Sequence, residues 1–367
     1  MNFSKQLIEW YKQNKRDLPW RNTKNPYKIW LSEIILQQTR VNQGWSYYTK
    51  FINQFPTLID LANASEEEVL KLWQGLGYYS RARNLHFTAK HIAYNLNGFF
   101  PTDYNEILKL KGVGEYTAAA ISSFAYNQPF PVVDGNVFRV LTRIFGIETP
   151  IDSNEGKKAI YSLAHELIDR KRALLFNQAI MEFGALQCIP KNPSCKSCIF
   201  NQSCYASINN MVTLFPIKQN KIKQRIRYFN YLVFISERNS TLLHKRIEND
   251  IWKNLYDFPL VETDEPIENI ETLILHTDFY KFKNQLQTLS FIKISSPIKH
   301  VLSHQKIIAI FWLVHTSAIS KIKNDYTEIN LDDIENYPVP VLIENYITSF
   351  KELGKNKLKK FLHLNKF

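Results

Sequence analysis

A chain of 367 residues, 45% hydrophobic and 22% charged, carries enough apolar material for two cores of ordinary size. Its formal charge of +12 comes from Lys and Arg along the whole length and suits a polyanionic partner such as nucleic acid. Polar and charged residues break every apolar run from Met1 to Trp20, which predicts neither signal peptide nor membrane span there and a cytosolic protein.

From residue 1 to about 208 the apolar residues recur at helical spacing, as in Leu7-Ile8-Trp10-Tyr11 and Val69-Leu70-Leu72-Trp73, so an all-helical domain is predicted over 1–208. Arg16-Asp17-Leu18-Pro19-Trp20-Arg21 interrupts the pattern and reads by itself as a surface corner. Ile29 to Thr39 follows as a helix that is apolar on nearly every side yet holds Glu33, whose pKa burial should raise into the range of a general acid. A glutamate that caps or pairs elsewhere fits that pattern equally well. Trp73 to Tyr79 reads as aromatic core.

Leu110 to Ala118, within a predicted helix–hairpin–helix at about 105–125, places Gly112 and Gly114 around Val113 at the start of the next helix. There the backbone turns tightly and free amides can hold a phosphate. Asp134, in Val133-Asp134-Gly135-Asn136, is a second carboxylate candidate, although the same residues also make an ordinary turn or N-cap.

All four cysteines, Cys188, Cys195, Cys198 and Cys204, form the run C-x6-C-x2-C-x5-C at the end of the helical domain. Clustered thiols of this kind indicate a metal centre rather than disulfides. One compact run favours a [4Fe–4S] cluster over the paired C-x2-C units usual for zinc, with zinc a rival on spacing alone.

Residues 209–227 are predicted as a basic linker, the part from Pro216 to Arg227 being rich in charge. Beyond it, Tyr228 to Ile235, Leu242 to Lys245, Leu289 to Ile294 and Ile307 to His315 have strand-like composition, which makes 228–367 an α+β domain. Ten of the eleven glycines fall at or before Gly184 and only Gly354 after it, in keeping with two differently built halves.

Taken in order, these motifs resemble the MutY adenine glycosylases of the endonuclease III-like helix–hairpin–helix superfamily. The resemblance implies a glycosylase domain with a [4Fe–4S] loop at 188–204, in which Lys191 and Lys196 stand ready for DNA, followed by a Nudix-like recognition domain. It assigns Glu33 as the acid that protonates adenine, Asp134 as the stabiliser of the sugar cation, and Asn136 as the residue that orients Glu33 and the attacking water. Tyr116 occupies the position where relatives with lyase activity carry a Schiff-base lysine, so the implied enzyme removes the base and leaves an abasic site. Arg16, Leu18, Trp20 and Gln178 would line the adenine pocket, and Gln38, Tyr78, Ser303 and His304 would recognise the opposite base.

Leu302 stands where the family has phenylalanine, and the Arg-Glu-x-x-Glu-Glu run of active Nudix hydrolases is missing, which predicts no pyrophosphatase activity. The expected partner is duplex DNA with adenine opposite 8-oxoguanine or guanine, bound by a monomer without membrane contact. The alternatives are an endonuclease III-like glycosylase with lyase activity on oxidised pyrimidines and a non-catalytic iron–sulfur DNA-binding protein.

Overall fold

The computed structural model describes residues 3–220, 224–283, 290–316, 319 and 325–352. Gly354 and residues 221–223 of the predicted linker lie outside them. Two compact units form. The first comprises Met1–Asn63 and Asn84–Lys221, the second Ala64–Arg83 and Ile222–Phe367.

The first unit contains α1 (Phe3–Asn14), α2 (Pro26–Leu36), α3 (Val41–Gln54) and α4 (Leu58–Asn63). After α5 (Glu66–Trp73), which packs in the other unit, come α6 (Ser80–Asn95), α7 (Tyr104–Leu108) and α8 (Glu115–Tyr126). The helices α9 (Gly135–Phe145), α10 (Asn154–Leu167), α11 (Ala173–Leu186) and α12 (Tyr205–Ile208) complete it. Helix starts follow local chemistry. Asn25 caps α2 by accepting from the amides of Tyr27 and Lys28, with Pro26 at the first helical position, and Asp134 caps α9 by accepting from those of Asn136 and Val137. One core joins α1, α9, α10 and α11 through residues such as Leu7, Ile8, Val140, Leu141, Phe176 and Ile180, all almost wholly buried. This core holds α9 and α11 side by side, and both helices supply site residues.

The helical part differs from the expected single domain 1–208 in two ways. It continues to Asn220, because Ile151 donates to the Ile217 carbonyl and the amides of Gln219 and Asn220 donate to Asp152. Conversely, α5 and its loop belong with the C-terminal chain: Glu67 pairs with Lys245 and accepts from the Tyr256 hydroxyl, while Gln74 accepts from the Val339 amide.

In the second unit, β1 (Arg225–Ser236) runs parallel to β7 (Gln305–Thr316) in a sheet ordered β4-β1-β7-β5. Here β4 is Leu260–Thr263, β5 is Ser290–Ile294, and β6 (Ile298–Val301) also pairs with β7. A smaller sheet, β3-β2-β8, is formed by Tyr256–Asp257, Ser240–Lys245 and Tyr326–Asn330. The short helices α13 (Ile270–Ile274) and α14 (Thr277–Lys283) pack against the larger sheet through Leu273, Phe279 and Phe282, and α15 is Val341–Glu352. The α+β architecture matches expectation. The tether ends earlier than predicted: Arg227 lies inside β1, nearly buried and ion-paired with Asp250 and Glu262. No helix among the described residues is long and apolar enough to cross a membrane.

Candidate active site

Glu33 is the sole acidic residue of α2, and seven other residues of that helix are also buried. Only 6% of it is exposed, and Tyr116, on the second residue of α8, donates its hydroxyl to Glu33 Oε2 at 2.9 Å. Burial pushes the carboxyl up to about 7, the nearby Asp134 adding to the rise, while the Tyr116 hydrogen bond and Arg21 oppose it. A carboxyl with that pKa is about half protonated at neutrality, where an ordinary glutamate is almost wholly ionised.

Asp134 sits in a different environment. Burial raises it as well, but its Oδ1 accepts from two backbone amides at the start of α9, at 2.9 and 2.8 Å, and its Oδ2 accepts from the Asn136 side chain at 2.7 Å. Three donors and the positive end of a helix favour the anion. Burial still prevails and leaves Asp134 above its ordinary value, but three donors oppose the rise where Glu33 has the Tyr116 hydroxyl, so of the two carboxyls Asp134 is the better held as the anion.

Both open on one cavity with about 890 Å³ of atom-free space, lined also by Arg16, Leu18, Trp20, Tyr116, Asn136 and Gln178. All eight residues predicted for catalysis and the adenine pocket therefore meet. Asn136 departs from its expected contact. Its amine goes to Asp134 and its Oδ1 accepts from Arg139, and Glu33 takes Tyr116 instead, since the N-cap turn brings Asn136 back onto its own capping residue.

Sequence reasoning missed Glu182. It lies on α11, one turn beyond Gln178, is wholly buried, and accepts from the backbone and guanidinium of Arg16 and from Arg21. Burial raises its pKa, yet the hydrogen bonds from Arg16 and Arg21 outweigh it and hold Glu182 at about 2. The available signal was a single charge in the otherwise uncharged helix Ala173–Leu186, which cannot be buried without a cation.

The hairpin between α7 and α8 has the expected form. Gly112 has φ +80°, and a Cβ there would come within 2.6 Å of Asn84, so no other residue fits without displacing it. Val113 is buried between the two glycines, and Gly114 caps α8 with no side chain over its first amides.

The four cysteines line one hollow with Arg143, Ile144, Phe183 and Val212, containing about 360 Å³ of atom-free space. Burial pushes the Cys198 thiol up to about 11 and also raises Cys204. Arg143 Nη1 lies 3.5 Å from Cys188 Sγ, and the guanidinium donates to the carbonyls of Ile189, Pro190 and Phe215. Among the described residues no three His, Cys, Asp or Glu are grouped as around a single metal ion. Four soft donors around a partly apolar hollow next to a cation fit a cluster of several metals that carries its own sulfide. Lys191 and Lys196 are exposed beside it. Arg139 joins this loop to the cavity by donating to the Cys188 and Gly184 carbonyls and to Asn136.

Gln38 and Tyr78 are both exposed, and both adopt the left-handed backbone conformation, φ 55° and 48°. Non-glycine residues held there are strained and tend to be functional. In the second unit, Arg81 lies over the rings of Trp73 and Tyr78 and donates to the carbonyls of Leu76 and Gly77. The Tyr78 hydroxyl is hydrogen-bonded to Ser303, which with Leu302 and His304 forms the turn between β6 and β7.

Residues 31–168 match the model of the HhH-GPD superfamily of base excision DNA repair proteins, and residues 230–349 match the NUDIX domain. The adenine DNA glycosylase of Buchnera aphidicola subsp. Baizongia pistaciae is 34% identical, covering 96% of this chain and 97% of that protein. The Homo sapiens adenine DNA glycosylase is 44% identical over 56% of this chain and 39% of its own. Among solved structures, a thermostable thymine-DNA glycosylase superposes with TM-score 0.53 and 30% identity, over 56% of this chain and 95% of that one. A trapped endonuclease III–DNA covalent intermediate shares the fold, with TM-score 0.50 and 22% identity over 57% and 95% of the two chains.

Proposed function

The chain belongs to the adenine DNA glycosylases of base excision repair, and from that premise we propose a monofunctional enzyme that hydrolyses the N-glycosidic bond of adenine paired with 8-oxoguanine or guanine in duplex DNA. The observation that carries the reading is Glu33, a buried carboxyl with its pKa raised to about 7 in the same cavity as Asp134. The flipped adenine occupies that cavity against Leu18, Trp20, Arg16 and Gln178. Glu33 gives its proton to the base, which lowers the cost of its departure. Asp134, held as an anion by the start of α9, steadies the positive charge that develops on the sugar. Asn136 fixes Asp134, and Tyr116 fixes Glu33.

A phenol forms no Schiff base, and Tyr116 is the reason for expecting hydrolysis without strand cleavage. The amides around Gly112, Val113 and Gly114 hold a phosphate and fix register without reading sequence. Gln38 and Tyr78 enter the stack beside the opposite base, and Ser303 and His304 contact it. Cys188, Cys195, Cys198 and Cys204 would hold a [4Fe–4S] cluster, which would supply a structural cross-link for the loop that presents Lys191 and Lys196. The reading includes a monomer acting on cytoplasmic, nucleoid-associated DNA.

The test is incubation of the full-length protein with duplexes carrying adenine opposite 8-oxoguanine or guanine, and with a duplex carrying an oxidised pyrimidine, each analysed with and without hot alkali. Strand breaks at adenine that require alkali are expected. Breaks without alkali at an oxidised pyrimidine favour the lyase alternative, and binding with no release of base favours a non-catalytic protein.

A further inference from the structure

Tyr11, on α1, stands behind the cavity and contacts it through one side chain. Its hydroxyl donates to Gln178 Oε1 at 2.8 Å, with both residues buried. The ring is held in place: the Arg21 guanidinium lies 5.7 Å from its centroid, and Arg21 is itself fixed by Glu182 at 2.7 Å. Burial raises the Tyr11 hydroxyl above its ordinary pKa, so it remains a donor throughout the neutral range. A hydroxyl that donates to a primary amide takes the oxygen end; were the amide turned round, the Tyr11 oxygen could accept from its amine, but the buried hydroxyl proton would then be left without a partner among the described residues. The Gln178 amine makes no hydrogen bond among the described residues and is left for whatever enters the cavity that Gln178 lines.

Adenine carries an amine at position 6 beside a ring nitrogen that accepts, N1 on one edge and N7 on the other. A primary amide is complementary to that pair when its amine meets the ring nitrogen and its oxygen meets the 6-amino group. Oε1 keeps a second lone pair for this after accepting from Tyr11. A 6-oxopurine turns the polarity at position 6 around and sets its oxygen against Oε1. On the N1 edge, where a 6-oxopurine carries a proton, an amide free to rotate by half a turn could serve either base, because its terminal torsion is soft and two-fold; on the N7 edge, which accepts in both bases, it could not. We propose that Tyr11 is a specificity-determining positioning residue, locking the Gln178 amide in the orientation that accepts a 6-aminopurine and rejects a 6-oxopurine. The proposal rests on the reading above, in which adenine enters this cavity.

The experiment compares single-turnover release of adenine and of hypoxanthine opposite 8-oxoguanine by the full-length protein and by Tyr11→Phe. The variant keeps the ring over which Arg21 lies and removes only the hydroxyl. The ratio of adenine to hypoxanthine release should fall about tenfold, the scale of one oriented hydrogen bond. Repeating the comparison in a Gln178→Glu background separates positioning from packing. A carboxylate has two equivalent oxygens and no orientation to lock, so Tyr11→Phe should leave the ratio unchanged there. Equal loss of both activities, an unaltered ratio with Gln178 present, or the same fall in the Gln178→Glu background overturns the proposal alone. A wild-type protein that releases no adenine overturns the proposed function and this inference with it.

Discussion

Glu33 is costly to the fold for the same reason that it is useful. Its carboxyl titrates near 7 in the folded protein and near 4.5 when exposed, so the folded state keeps a proton that the unfolded state gives up. Stability from this group is full below about pH 4.5, is lost as pH rises to about 7, and is level beyond, a difference on the order of 3 kcal/mol. Glu33→Gln should therefore unfold at higher denaturant than wild type at pH 8, with the gap closing towards pH 4; parallel unfolding curves at both pH values check this. The same variant should bind duplex normally while releasing adenine about 10² to 10⁴ times more slowly, and near-normal release would remove Glu33 as the acid. Tyr116→Phe deletes a hydrogen bond that favours the charged form, so the Glu33 titration should move to higher pH, read from the alkaline limb of the excision rate. Glu33 was legible because a lone carboxylate in an apolar helix is conspicuous. Asn136 was legible as a site residue but not in its contact, because only the folded turn decides whether its amide reaches Glu33 or Asp134.

At the scale of elements, the site depends on how closely α9 and α11 approach. A Cβ on Gly184 would lie 2.6 Å from Asn136 Cβ, and the Gly184 carbonyl accepts from Arg139. Gly184→Ala should thus displace Asn136 and Asp134 together, costing about 1–3 kcal/mol of stability and slowing excision out of proportion to any loss of duplex binding; equal losses in both measurements would place the effect elsewhere. The α7–α8 hairpin makes the opposite prediction. Gly112→Ala, against Asn84 and at φ +80°, should weaken binding to matched and mismatched duplexes alike, as seen in titrations of both, since a phosphate contact reads no sequence. Both elements were legible from short-range signals: a Gly-x-Gly turn, an Asp ahead of a helix, four clustered thiols. The packing of Ala64–Arg83 with the C-terminal chain was not, because it depends on contacts such as Glu67 with Lys245 and Tyr256, between residues more than 170 positions apart.

Over the whole molecule, the division into a helical half and an α+β half could be read from periodicity and from where glycine stops, and the structure moves its boundaries without changing its kinds. The formal charge of +12 is spread over the chain, which gives a general attraction to DNA and leaves discrimination to a few individually placed side chains. Arg227, within the predicted basic linker, is instead a buried strand residue between two carboxylates, so net charge does not say which cations face the duplex. What the account requires above all is a proton donor kept neutral by burial, and the most direct measurement is single-turnover release of adenine opposite 8-oxoguanine by the intact protein from about pH 5 to about pH 9. The rate should fall through an alkaline limb with a midpoint near 7, and that limb should be absent from the residual activity of Glu33→Gln. A wild-type rate that is level across this range, or a limb that survives in Glu33→Gln, contradicts the account.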